Sequence, residues 1–507
     1  QIALVIWSGA GPGLRAQNPA VYSTKSIWIL DEEVDEVTET KDNKLSRRQF
    51  LILGGQGAIA VAFLAGCGAA PTAEPAAPAE EAESGGEAAA PAAAPVELEF
   101  LAWGDPADIE AWDKLSTLYM EKNPNVTVKV TSVADPNANF YPKLQTAIAG
   151  GTPPAVSSFQ GWEWQLYADN NVLAPIDDYI KRDNFTAPYP DGIASIDLST
   201  VRNGNRYLIP LQLGTMVLFY AKQPFDEAGI PYPTDDMTME QLLETAEKLT
   251  SLDGDKKMFG LQANGSWFRD IHWIRSTGNQ EFDSLEDPKT AQFNQPDIVE
   301  MLQLVAYDVY HTMKISPTPA DLEGGANTIE TGNAAMKYEG AWFFGRLNSP
   351  ELREQDKQIE FDVVMMPQGA DPDRPHRGWA EGVAIPQSDV VDAAWEFAHF
   401  MGSDEGDKIY SETTGRIPNN LGLVESFWIP TIKEKFGVEN GQAFIEAFKR
   451  SEVDVVGGVP RSKMWSEIVK PVGYDPLLGG SATAAEVLPK VDTELQKVLD
   501  DYWASVG

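Results

Sequence analysis

The sequence predicts an α/β fold in two domains over residues 96–507. Three observations carry that expectation. Patterns of period 2 and period 3.6 alternate along the chain, the order of βαβ units around a largely parallel sheet. The body holds 412 residues, more than a single hydrophobic core usually spans. The residues before it have the composition of a leader and a spacer rather than of a packed fold.

The first elements follow one another without ambiguity. "VELEFLAW" alternates and predicts a strand ending at Gly104. "PADIEAWDKLSTLYMEKNP" carries Ile109, Trp112, Leu115, Leu118 and Tyr119 at helical spacing, with Pro124 beyond its end. "NVTVKVTSV" is a β-branched strand, "NFYPKLQTAIAGG" a helix stopped by two glycines, "PAVSSFQ" a short buried strand and "EWQLYADNNV" a further helix. The second half repeats the theme. "TMVLFYAK" predicts a strand, "PFDEAG" a short helix, and "TMEQLLETAEKL" a helix whose Thr238 and Gln241 have capping-box spacing. "QPDIVEMLQLVAYDVYHTM" predicts one long amphipathic helix, and "AAMKYEG" and "IEFDVVMMP" later strands. "DAAWEFAHFMGSDEG" and "TAAEVLPKVDTELQKVLDDYWA" are further helices, and no repeat of 20 to 50 residues is visible.

Ahead of this body, "LSRRQFLILGGQGAIAVAFLAGC" (45–67) ends on Cys67, the only cysteine of the 507 residues. Arg47 and Arg48 precede an uncharged run from Leu51 to Gly66, shorter than the roughly 20 residues of a spanning helix. Basic, apolar and small-residue segments in that order predict a signal peptide over 45–66. "SRRQFL" resembles a twin-arginine export motif and "LAGC" a bacterial lipobox, which implies lipidation of Cys67 as the mature N-terminus. Residues 67–95 are expected to be a disordered spacer, since residues 68–95 hold 13 alanines, 5 prolines and 5 glutamates. Residues 1–44 include an acidic stretch unlike a signal n-region. They are expected to be a long leader or translation from upstream of the true start, and are set aside.

Charge narrows the partners. Residues 1–66 carry 6 basic and 7 acidic side chains, so the remainder has 33 Lys+Arg against 69 Asp+Glu, a net −36. Phosphate backbones repel such a chain, and nucleic acid is not an expected partner. The expected location is extracytoplasmic, on the outer face of the cell membrane and held there by the lipid.

Several segments, in order, resemble the bacterial family 1 extracellular solute-binding proteins, the carbohydrate-binding subunits of ABC importers. They are "PPAVSSFQGWEWQLYADNNVLAPIDDYI", "RYLIPLQLGTMVLFYAKQPFDEAGIPYPTDDMTMEQLLETAEKLT", "ETGNAAMKYEGAWFFGRL", "FDVVMMPQG", "GWAEGVAIPQSDVVDAAWEFAHFM" and "GRIPNN". The resemblance implies a two-lobed fold hinged around a ligand cleft. On pattern, lobe one is expected at 96–211 plus 381–419 and lobe two at 212–380 plus 420–507. It also implies permease subunits as partners of a monomeric receptor.

A sugar offers apolar C–H faces ringed by hydroxyls, so its site needs flat aromatics and planar hydrogen-bonding groups. Trp103, Trp162, Trp164, Trp267, Trp342 and Trp379 lie beside glycine or polar residues at expected strand ends, where open α/β sheets bind ligands. Trp112, Trp395 and Trp503 fall on helical apolar stripes and are expected in the core. The resemblance adds Trp465, matches Trp342 and Trp465 to stacking aromatics, and matches Phe159 to Glu163 to a contributing segment. Glu381 is expected either in the pocket or in a structural ion pair.

No catalytic residue, metal or cofactor is expected. The chain has no serine nucleophile elbow, and its four histidines lack zinc-ligand spacing. The alternatives are a binder of another small solute, such as a peptide or polyamine, and an exported glycoside hydrolase using a carboxylate pair.

Overall fold

A computed structural model describes residues 94–506, apart from 134–138, 254–255, 356 and 370–375. The signal run, Cys67 and nearly all of the Ala/Pro/Glu stretch lie outside the described residues. No helix among the described residues is long and apolar enough to cross a membrane.

The expected βαβ start is present. Strand β1 (Val96–Trp103) leads through the helix Pro106–Lys122 to β2 (Val126–Val133), and the helix Tyr141–Ala149 leads to β3 (Val156–Gln160). All three strands run parallel, with β1 between the other two. A two-residue ribbon, β4 (Val201–Arg202) with β5 (Asn205–Arg206), precedes β6 (Leu208–Thr215). The first sheet is completed by β11 (His376–Ala384), which lies antiparallel to both β3 and β6, and by β12 (Ser451–Glu452), parallel to the start of β11.

The second sheet contains β7 (Val217–Ala221), β8 (Phe259–Gln262), β9 (Ala334–Glu339) and β10 (Phe361–Met365), in the order β10-β7-β9-β8. Only β8 and β9 pair in parallel; β7 is antiparallel to both of its neighbours. The first sheet is thus mostly parallel, as expected, while the second is mostly antiparallel, against expectation. A strand that arrives from the other sheet is not tied to a βαβ crossover, so nothing forces it to run parallel.

Three segments pass between the sheets. The first is Met216 alone, between β6 and β7; the second joins β10 to β11; the third runs from β12 to the helix Arg461–Met464. Trp112 and Trp395 are buried as expected, whereas Trp503 is half-buried and donates from Nε1 to the Pro288 carbonyl.

Candidate functional site

The site forms where the ends of the two sheets meet. Trp162 and Glu163 follow β3, Trp379 and Glu381 lie on β11, and Trp342 follows β9. Two glycines make room for these rings. A Cβ at Gly214 of β6 would lie 2.3 Å from the Trp379 ring, and one at Gly340 would lie 2.0 Å from that of Trp342. Neither position admits another residue without displacing its tryptophan.

The rings and three arginines join in one stack. Trp342 packs on Trp379 at 5.8 Å between centroids, and Trp379 meets Trp162 edge-on at 5.6 Å. The Arg377 guanidinium sits 4.0 Å from the Trp379 ring and 5.2 Å from Trp162. On its other side, Arg461 lies 3.9 Å from Trp162 and 4.6 Å from Phe268, whose ring touches Trp465 at 5.1 Å. Arg269 covers Trp342 at 5.8 Å. The stack thus runs from the first sheet into the second lobe through cation–π and edge-to-face contacts, with Trp342 and Trp379 tilted at 42° to one another.

Carboxylates hold the stack in place. Asp454, fully buried on the third crossing, accepts from Arg377 Nη2 at 2.9 Å and also from Arg461 Nη1. Burial pushes its carboxyl up, but Arg377 and Arg461 pull it down further, and it ends below the usual aspartate range. Glu339 accepts from Trp342 Nε1 at 3.1 Å and pairs with Arg269 Nη2 at 3.1 Å. Glu381 accepts from Trp379 Nε1 at 3.0 Å and from Gln212 Nε2 at 2.7 Å, and burial pushes it up to about 7. Glu163 is also pushed up by burial, against the pull of Arg461 and Ser462.

Trp162, Glu163, Trp342, Trp379, Glu381 and Trp465 are therefore brought into one constellation. Trp103, half-exposed at the end of β1, and Phe159 line a small cavity beside it with Asp108, Ser158, Gln212 and Glu381. Phe159 itself is fully buried against Tyr141 and Tyr167. Indole Nε1 of both Trp103 and Trp162 is buried without a hydrogen-bond partner. Trp164 and Trp267 do not join: Trp164 is fully buried, donating from Nε1 to the Ser199 carbonyl at 2.8 Å, and Trp267 is fully buried against Phe282 and Phe293. Its neighbours Phe268 and Arg269 face the stack instead. The helix Trp267–Arg275 is buried almost all round, only Phe268 and Arg269 being partly exposed, and Trp267 shares the core with Ile271 and Ile274 at i+4 and i+7. Arg377, Arg461, Arg269 and Asp454 were not expected, and no local pattern marks them. Among the described residues no group of three His, Cys, Asp or Glu could hold a metal ion.

The family described as bacterial extracellular solute-binding protein matches residues 103–408. An uncharacterized ABC transporter extracellular-binding protein of Pyrococcus horikoshii is 24% identical over 392 residues, 72% of this chain and 84% of that protein. Among solved structures, an ABC substrate-binding protein of Listeria monocytogenes in complex with cycloalternan superposes with a TM-score of 0.69 at 24% identity. It is covered to 99%, and this chain to 80%. Maltose-bound MalE3 of T. maritima gives a TM-score of 0.65 at 17% identity, with 100% of it and 80% of this chain covered.

Proposed function

Because the chain belongs to the bacterial extracellular solute-binding protein family, we propose that it captures a carbohydrate between its lobes and presents it to an ABC importer. The observation that carries this reading is the aromatic stack running across both lobes, flanked by planar carboxylate, amide and guanidinium groups. Trp342 and Trp465 keep part of their rings exposed, and so offer the stacking faces. Glu381, Gln212 and the two unpartnered indole donors supply hydrogen bonds for hydroxyls. The solved relatives described above hold cycloalternan and maltose, both carbohydrates.

The finer points belong to the same reading. The receptor binds without cleaving its ligand, works as a monomer, and is tethered outside the cell through lipid on Cys67 after twin-arginine export. The lobes change at Met216 and between Met365 and His376, so that β6 and β11 belong to the first; the helices Ile429–Phe436 and Gln442–Lys449, whose Phe436 and Phe444 pack on Phe344 and Phe219, belong to the second, as does the chain from Arg461.

A thermal-shift panel of the purified protein against mono-, di- and oligosaccharides, linear and cyclic, tests it. A ligand at 100 times its Kd should add about 2.7 kcal/mol to the folded state. A raised midpoint with one sugar class and intact sugar afterwards supports the reading. Shifts confined to peptides or polyamines, or released reducing sugar, would overturn it.

A further inference from the structure

We propose that Glu163, Ser462 and Arg461 form a latch between the lobes, acting as positioning residues that set how far the cleft stands closed before ligand arrives. This rests on the reading of the chain as a hinged binder, but not on which solute it binds.

The hydrogen bonds from Ser462 to Glu163 and the contact of Arg461 with Trp162 pass from one lobe to the other. Glu163 follows β3 of the first lobe and is 4% exposed. Its carboxylate accepts from the Ser462 backbone N–H at 2.9 Å and from the Ser462 hydroxyl at 2.8 Å. Ser462 stands just past the third crossing, on a stretch that continues as the π-helical turn Trp465–Tyr474 against the C-terminal helix Ala484–Val506. One residue earlier, Arg461 pushes its guanidinium between Trp162 of the first lobe and Phe268 of the second. Opening the cleft must break two charge-assisted hydrogen bonds and pull the guanidinium out of this aromatic pair. Asp454 on the crossing also accepts from Arg461 Nη1, and from Arg377 of the first lobe, so opening must part the guanidinium from one ring of the pair.

The consequence is quantitative. A receptor binds in proportion to the fraction of molecules in the competent closed arrangement. Loosening the latch therefore raises Kd for every ligand by one common factor. Removing a side chain that touches ligand instead changes the ratio between ligands. The latch thus sets affinity, while Trp342 and Trp465 set selectivity.

Glu163→Gln keeps the size of the side chain and removes its charge; Ser462→Ala removes the hydroxyl at a half-exposed position and leaves the fold intact. Both are measured in the full-length protein without ligand, by distance between one spin label on each lobe and by small-angle X-ray scattering. A longer interlobe distance in both variants is expected, with dissociation of any bound sugar about 3- to 10-fold faster and Kd ratios across sugars unchanged. An unchanged distance distribution in Ser462→Ala would overturn the latch. So would altered Kd ratios in Glu163→Gln, which would make Glu163 a ligand contact. If no sugar binds at all, the carbohydrate reading fails while the unliganded distances still decide the latch.

Discussion

Asp454 and Asp270 are both fully buried aspartates, and the protein treats them in opposite ways. Asp454, at the crossing between lobes, meets two guanidinium groups and is held in its charged form. Asp270, inside the second lobe, accepts from Tyr338 at 2.8 Å and Tyr474 at 3.1 Å, and burial pushes it up to about 7. Two neutral hydroxyls do not offset the loss of water around a carboxylate; two guanidinium groups do. The hinge is thus fastened by full charges, and the interior of the second lobe by a carboxyl that holds a proton readily. What the pair teaches is that burial alone says little about charge until the partners are known.

Removing a charge from the hinge is the harshest way to break that contrast. Asp454→Ala leaves Arg377 and Arg461 buried without a carboxylate and should cost about 3–5 kcal/mol in urea unfolding. A loss under about 1 kcal/mol would mean that the arginines find other partners and the contrast is false. Trp267→Ala should cost a similar amount, about 3–5 kcal/mol, because it empties a core site. Its effect on ligand affinity should be small, separating it from the ring beside it in sequence.

Asp270 provides a pH signature. Its folded pKa of about 7 lies above the unfolded value near 3.9, so the folded state holds the extra proton between them. Its contribution is fully present below about pH 4 and is lost as pH rises towards 7. Relative to Asp270→Asn, the wild type should therefore lose stability across that window, by about 2–4 kcal/mol. Parallel stability curves for the two proteins would show that Asp270 stays ionised.

At the cleft the effects are smaller. Trp342→Ala should weaken binding of a confirmed sugar by about 1 kcal/mol, roughly fivefold in Kd by calorimetry, with the sugar preference altered. At the far end of the scale is Lys129, paired with Glu97 at 2.6 Å while both side chains stay 62% exposed. Lys129→Ala should shift stability by no more than about 0.5 kcal/mol, since water already solvates both charges.

Much of this architecture was legible locally. Strands β1 and β2 and the helix between them sit where the pattern put them, and of the expected stripe Trp112, Leu115 and Tyr119 are buried while Ile109 and Leu118 are half-buried. The capping box is present in full, with Gln241 N–H donating to Thr238 Oγ1 at 3.2 Å and Gln241 Oε1 accepting from Thr238 N–H at 2.8 Å. The expected single helix after Gln295 is instead α-helical over Pro296–Gln303, π-helical over Leu304–Asp308 and α-helical again over Val309–His311. One inserted residue per turn leaves the apolar pattern almost unchanged, so periodicity could not reveal it. Strand β11 was hidden for another reason. "HRGWAEGVA" mixes glycines, charges and tryptophan, yet all nine residues are buried, because Glu381, Arg377 and Trp379 find their partners on distant segments. The same holds for the site. Aromatics beside strand ends can be picked from the sequence one at a time, but the arginines between them, 84 residues apart in the case of Arg377 and Arg461, are paired only by the fold.

The connection from β6 to β7 through Met216 has a mechanical meaning. Two strands belonging to different sheets are separated by one buried residue, with only two soft dihedrals of its own. A joint that short transmits torque but allows almost no sliding. At this crossing, any motion of one lobe against the other reduces to rotation at Met216. Trp162, the residue before Glu163, belongs to the same buried apolar cluster as Met216, so the joint and the latch share one packed region and a turn at the first is felt at the second.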